Sequence, residues 1–223
     1  FYFLNDFNIY GHYCIILRYN KLKANKMKRT FRFELLMDAG NGAQKAGDIL
    51  IKALERKGLY VFIEPIIPAE ISPPKRTSYS LSGAVIRVSN EELSNIGSSS
   101  DLILVEHDIL CKRRISDKEY STNCRFFMDS GYQKKGPDGY AEIETICANE
   151  NLPLTCFSMS SETELLVKEL HGNGKNMYYL GLLTWLFDMT KETVESLIRS
   201  TFKKLSTEKI DKNILIYENG FTA

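Results

Sequence analysis

Four places in the chain carry residues whose type and spacing could do chemistry. The first is Gly40-Asn41-Gly42, followed by an apolar pattern with helical spacing. A glycine bend running into a helix start leaves backbone N–H groups without intrahelical partners, and the helix dipole adds partial positive charge there. Such a corner suits a phosphate or another anion. The spacing is G-x-G without the third glycine of a dinucleotide fingerprint, the next glycine being Gly47. Glu64, which would follow the second strand, stands beside Pro65 and near Pro68, a poor setting for the acidic residue that NAD binding prefers. The turn alone therefore reads slightly better as a tight corner without a ligand.

The second place is Lys75-Arg76, between Pro74 and a Ser-rich stretch. Two cations there could hold a phosphate or carboxylate through charge-assisted hydrogen bonds, although two solvated loop charges are commoner. The third is Glu106-His107-Asp108 at the end of an apolar run. A histidine between two acids could be a general base. No serine or cysteine nucleophile motif accompanies it, and a solvated or capping residue is the commoner reading. The fourth is the aromatic set Tyr178, Tyr179, Trp185 and Phe187, at helical spacing and so read as core or interface before binding stripe. Cys14, Cys111, Cys124, Cys147 and Cys156 form no C-x-x-C pair, and His12, His107 and His171 are scattered. Metal or cluster ligation is not expected, and reduced buried thiols are.

The elements that must position these residues follow from pattern. The chain has 223 residues, with 29 Lys+Arg against 28 Asp+Glu. That balance argues against nucleic-acid binding by bulk charge. With 12 Phe and 12 Tyr to bury it is not disordered overall, and its 5 cysteines, an odd count at low density, do not make a disulfide scaffold. Residues 1–26 are dense in Phe, Tyr, Ile and Asn without a clean period. They suit neither a membrane span nor a signal peptide, and the ordered pattern begins after Met27. The expectation is a poorly defined extension over 1–26 and one domain over 27–223, with the native start at or near Met27.

Phe31–Met37 is strand-like. Ala46, Ile49, Leu50, Ala53 and Leu54 line one face of a helix, Gly58 stops it, and Leu59–Ile63 reads as a short buried strand. Pro65, Pro68, Pro73 and Pro74 predict an irregular loop. Further strands are expected at 84–89, 101–106, 124–129 and 154–157, with an exposed loop over 131–139 and a helix over 141–150. Ser161-x-x-Glu164 reads as a capping box. Lys175–Asp188 reads as a helix apolar on nearly every side. Two amphipathic helices follow, one on Val194, Leu197, Ile198, Thr201, Phe202 and Leu205, and a weaker one on Ile210, Ile214, Tyr217 and Phe221. The fold class is α/β, a Rossmann-like, mostly parallel sheet flanked by helices, with a helical C-terminal cap.

Several stretches together resemble the gamma domain of the 2-oxoacid:ferredoxin oxidoreductases, most nearly the start of 2-oxoglutarate-type alpha subunits. Ala39–Gly47 (AGNGAQKAG) is similar to that domain's S-G-D-G-x-Q-x-x-G turn, and Pro68-Ala69-Glu70-Ile71 to its P-A-E-I element. Ser82-Gly83 and Ser100–Val105 resemble its next strands. Asn176–Asp188 resembles its N-x-x-x-L-G-x-x-x-W-L-F helix, and Phe202-Lys203-Lys204 and Asn213 continue in register. Most of 27–223 is covered.

The resemblance implies a non-catalytic part of a complex that oxidatively decarboxylates a 2-oxoacid, 2-oxoglutarate by the closest likeness, to an acyl-CoA and passes electrons to ferredoxin. It implies coenzyme A on this domain, at Gly40, Asn41, Gly42 and Gln44, with Lys75 and Arg76 supplying positive charge. Thiamine diphosphate and iron–sulfur clusters would sit on the alpha and beta partner parts, ferredoxin would be met indirectly, and the location would be cytoplasmic, without membrane or nucleic acid. The chain departs from the family at Ser72, which replaces an arginine, at Arg76 and Ser80, which replace glycines, and at Asn41, where aspartate is usual; Lys45 adds a charge. Side chains at glycine positions are expected to resist positive φ and push the backbone away from a ligand. The alternatives are a degenerate scaffold or interaction module that binds no cofactor and, less favoured, an independent NAD-dependent enzyme, opposed by the missing third glycine.

Overall fold

A computed structural model of the chain describes residues 30–70 and 72–223. The extension 1–26 and the start at Met27 lie outside them. The order is β1 (Thr30–Asp38), α1 (Ala43–Arg56), β2 (Tyr60–Ile66), β3 (Leu81–Ser89), β4 (Ser100–Val105), α2 (Asp108–Asp117), β5 (Tyr120–Asp129), α3 (Pro137–Asn149), β6 (Leu154–Phe157), α4 (Ser161–Glu169), α5 (Lys175–Leu186), α6 (Lys191–Thr201) and α7 (Thr207–Phe221). Short 3-10 turns at Ser78–Ser80 and Ser130–Lys135 precede β3 and α3.

The six strands form one sheet in the order β2-β3-β1-β4-β5-β6. β1, β4, β5 and β6 run parallel, while β3 is antiparallel to both β1 and β2. The β1–α1–β2 unit is therefore present, but β3 is inserted between its two strands. From β1 the chain winds to one side of the sheet, and from β4 to the other. The β1/β4 boundary is thus the topological switch point, where open α/β sheets leave a crevice beyond the carboxyl ends of their strands.

Alternation along β1 sorts its residues between two cores. Phe33, Leu35 and Met37 face Ile49, Leu50 and Ala53 of α1 and the bundle of α5, α6 and α7. Leu36 joins Ile103, Val105 and Met128 on the other face, under α2 and α3. Arg32 and Glu34, also buried, share that second face; Arg114 of α2 reaches Glu34 with two guanidinium nitrogens at 2.6 and 2.9 Å, a bidentate pair that satisfies a charge no water reaches.

Helix α5 is buried nearly all round, as its uniform apolarity requires. It crosses α7 with no side chain between the backbones. A Cβ on Gly181 would lie 2.2 Å from the Tyr217 carbonyl oxygen, and one on Gly220 would lie 2.0 Å from that of Tyr178. This close approach brings the start of α7 beside the start of α5.

Three expectations change. The strand after Gly58 is an edge strand, with Tyr60 and Phe62 exposed, and it continues through Pro65 because an edge tolerates the missing N–H. The segment 131–139 is no open loop but a 3-10 turn running into α3, with Pro at its first position. The cap of α4 is Ser160, whose hydroxyl accepts from the Thr163 N–H, one residue before the box read from sequence. Gly58 takes the left-handed conformation expected of a helix stop. Among the described residues no helix is long and apolar enough to cross a membrane.

Candidate functional site

The turn after β1 is built on two left-handed glycines, Gly40 at φ 86° and Gly42 at φ 83°. Gly42 is the N-cap of α1 and brings no side chain to cap it. Among the described residues the N–H groups of Ala43, Gln44 and Lys45 meet no acceptor. The first turn of α1 also holds no acidic residue. Beside this corner opens a cleft of about 350 Å³. Gly40, Asn41, Gly42 and Lys45 form its near wall, and the turn from Leu170 to Gly174, with Asn176, forms its floor. Phe202, Leu205, Lys209 and Asn213 close the far side. Lys45 and Lys209 are exposed cations at its rim. The cleft thus combines a glycine-turned helix start, two ammonium groups and an apolar wall, suited to a ligand with anionic groups on a partly apolar body.

The crevice at the switch point itself is filled by the protein. Asp38, Glu106 and Asp129 stand at the carboxyl ends of β1, β4 and β5, all fully buried. Lys175, the first residue of α5, reaches Glu106 at 3.0 Å and Asp129 at 2.9 Å. Burial works against its charge, but those two carboxylates outweigh burial and hold the ammonium protonated above the ordinary lysine range. The Tyr179 hydroxyl donates to Asp129 at 2.7 Å. Asp38 pairs with His107 Nε2 at 3.0 Å and accepts from the Ser80 hydroxyl and the Arg76 N–H. Burial would raise the Asp38 pKa; the bonds from His107, Ser80 and Arg76 outweigh it and hold the group below its ordinary 3.8. Tyr132 roofs the cluster, its ring centroid 4.5 Å from Lys175 Nζ and 4.9 Å from the Arg76 guanidinium.

The residues singled out in the sequence divide between these two places. Gly40, Asn41 and Gly42 line the cleft. The Gln44 amide instead donates to the Ile66 carbonyl at 3.3 Å, tying α1 to the end of β2. Lys75 donates to Asn41 Oδ1 at 3.3 Å, outside the cleft lining. Arg76 is engaged by Asp108 at 2.9 Å. Contrary to the steric expectation, Arg76 does adopt a positive φ, of 57°. Its N–H bonds to Asp38 and its ion pair to Asp108 hold that conformation. Ser80, also at a glycine position of the family, is buried and uses its hydroxyl on Asp38. His107 is fully buried as the N-cap of α2 and meets no solvent, so it offers no base to a substrate. Tyr178, Tyr179 and Phe187 are core.

Sequence reasoning missed Glu106 as a partner of Asn41, and missed Asp129, Lys175 and Lys209. Lys175 carried one signal, a charge opening a helix otherwise too apolar to face water. Of the cysteines, Cys111, Cys124 and Cys147 are buried free thiols, while Cys156 is exposed on the edge strand β6. Burial pushes the Cys147 thiol up to about 11, away from thiolate reactivity.

A mostly parallel sheet, a glycine corner after its first strand and a cleft at that corner define a class. The model of the pyruvate ferredoxin/flavodoxin oxidoreductase family matches residues 38–223, and the chain belongs to that family. Within it the chain is a gamma-type domain of the 2-oxoacid:ferredoxin oxidoreductases. Among curated relatives it is 24% identical, over 193 residues, to the 2-oxoglutarate oxidoreductase subunit KorA of Mycobacterium tuberculosis, covering 82% of this chain and 29% of the relative. The chain thus spans less than a third of that protein's length. Among solved structures it resembles a 2-oxoglutarate:ferredoxin oxidoreductase from Magnetococcus marinus with 2-oxoglutarate, coenzyme A and succinyl-CoA bound. That match has a TM-score of 0.65 at 21% identity, over 88% of this chain and 31% of the other. The gamma subunit of a keto/oxoacid ferredoxin oxidoreductase from Geobacter sulfurreducens matches with a TM-score of 0.60 at 15% identity, over 87% of this chain and 95% of the other. At these identities the two structures establish the fold alone.

Proposed function

We propose that the chain is the non-catalytic gamma part of a 2-oxoacid:ferredoxin oxidoreductase complex, contributing coenzyme A binding and assembly, with 2-oxoglutarate as the oxoacid. The observation that carries the reading is the open corner of α1. Among the described residues the α1 start has N–H groups without acceptors, and Gly40, Asn41, Gly42 and Lys45 at that start line a cleft with Lys209 at its far rim. Those groups suit phosphates, and the wall of Phe202 and Leu205 suits the uncharged remainder of the ligand. Gly40, Asn41 and Gly42 shape the anion seat. Gln44 braces it from behind, and Lys75 and Arg76 act through Asn41 and Asp38 rather than on the ligand. The likeness to a protein solved with coenzyme A bound supports the choice of ligand, and the KorA likeness supports the choice of oxoacid.

When bound, coenzyme A supplies the thiol that accepts the acyl group; this domain's part is to hold and orient it. Decarboxylation and electron transfer are assigned to partner alpha and beta parts, with thiamine diphosphate and iron–sulfur clusters, in a cytoplasmic assembly.

A second reading, a scaffold that binds no cofactor, draws on one observation. Asn41, Gln44, Lys75 and Arg76 all have partners inside the protein. Titration calorimetry of the full chain with coenzyme A decides between the two. Saturable heat at micromolar to millimolar ligand, lost on competition with inorganic pyrophosphate, supports the first. A folded chain that gives no heat supports the second.

A further inference from the structure

We infer that Glu106 is the positioning residue of this cleft, acting through Asn41; the inference rests on the coenzyme A reading above. Glu106 lies one residue beyond β4, fully buried. Its carboxylate accepts from the Asp38 N–H at 2.7 Å, from the Asn41 amide at 2.8 and 2.9 Å, and from Lys175 Nζ at 3.0 Å. These donors sit at the end of β1, in the glycine turn and at the first residue of α5. One buried anion therefore fixes the near wall of the cleft against its floor. A second tie runs alongside, from the Asn176 amide to the Gly42 carbonyl at 3.0 Å. Glu106 draws the Asp38 N–H and the Asn41 amide inward and so sets the turn that begins α1, whose first N–H groups meet no acceptor among the described residues.

The identity of residue 41 follows from the same geometry. Beside a carboxylate at 2.8 Å, asparagine donates where aspartate would repel. Reversing the pair should therefore restore it: in an Asn41→Asp, Glu106→Gln double variant the glutamine oxygen keeps the Asp38 N–H, and its amide nitrogen, in place of the oxygen that Lys175 reaches, donates to the aspartate while Lys175 turns to Asp129. Lys175 keeps Asp129 as a partner in every variant.

The test is a set of four full-length chains, wild type, Asn41→Asp, Glu106→Gln and the double variant. Each is checked for folding by circular dichroism, titrated with coenzyme A, and followed by amide NMR shifts of residues 40–45. Each single variant is expected to bind at least about tenfold more weakly and to shift those amides. The double variant is expected to recover to within about threefold, with its shifts returning toward wild type; a purely structural role predicts additive losses instead. Singles that bind as wild type does, or a double variant that binds more weakly than both, overturn the inference and leave the coenzyme A reading standing. A wild type that binds no coenzyme A overturns that reading, and the amide shifts then still decide whether Glu106 sets the turn. Should Glu106→Gln alone fail to fold, comparing Asn41→Asp with the double variant still separates rescue from additive loss.

Discussion

Two corners at the carboxyl edge of the sheet, side by side on parallel strands, meet the same electrostatic problem in opposite ways. After β1 the chain turns on Gly40 and Gly42 into α1, with no acid in the first helical turn and a lysine at Lys45. After β4 it turns on Glu106 and His107 into α2, whose first residue is Asp108. The second helix start carries its own negative charge, and Arg76 balances it. The first start carries none and opens on a cleft. A helix N-terminus becomes a place for a ligand only when the chain withholds its own carboxylate. The switch-point crevice between the two corners, where a ligand would ordinarily lie, is filled by Lys175 and three acids, so the open space is displaced toward α5 and α7.

Four changes bear on this contrast. The largest effect is expected of Gly42→Val. Its φ is 83°, and a Cβ there would stand 2.6 Å from Asn176 Nδ2. Urea melts should show a loss of about 2–5 kcal/mol, with coenzyme A binding no longer detectable by calorimetry. Asp108→Ala should open the closed corner. The Arg76 guanidinium is freed, stability falls by about 1–3 kcal/mol, and added phosphate raises the melting temperature more than in wild type. If phosphate affects both proteins equally, the two corners do not differ in the way described.

Lys45→Glu should close the open corner. The dipole gain of an acid in the first turn of α1 is offset by loss of the Lys45–Asp48 pair at 3.8 Å and by like-charge repulsion there, so stability should change by less than about 1 kcal/mol while coenzyme A weakens about tenfold; a gain in affinity would contradict the assignment. The smallest effect concerns Asp38. Because its pKa is depressed in the folded state, its stabilising contribution is present above its ordinary 3.8 and is lost as pH falls through the lower folded value. Melts from about pH 5 downward should show stability dropping below about pH 4, with a shallower drop in Asp38→Asn.

What the sequence made legible here was local, and what it hid was long-range. The helix face of Ala46, Ile49, Leu50, Ala53 and Leu54 announced α1, and the glycines on either side marked its ends. The apolar run from Phe31 to Met37 marked a strand but not that Arg32 and Glu34 would be buried, because Arg114, the partner of Glu34, lies 80 residues beyond it, and Glu119, a partner of Arg32, lies 87 beyond that residue. Helix α2 went unread because the run Lys112-Arg113-Arg114 interrupts its apolar spacing, although Arg114 points inward. At the site the glycine turn was visible, yet the use of Arg76 was not. Its partner Asp108 is 32 positions away, and its left-handed backbone, in the loop before β3, depends on Asp38 at the end of β1. Lys175 and Glu106, 69 positions apart, show no pairing signal in one chain read alone.

The crossing of α5 and α7 at Gly181 and Gly220 has a mechanical corollary. Where main chain rests on main chain, no compliant layer of rotamers absorbs a displacement, so the two helices translate as one rod. Gly174 at the head of one and Asn213 within the other keep their separation when the surrounding sheet breathes. On that side the cleft wall is set by hard contact, which leaves the glycine bend after β1 as the bank with room to adjust.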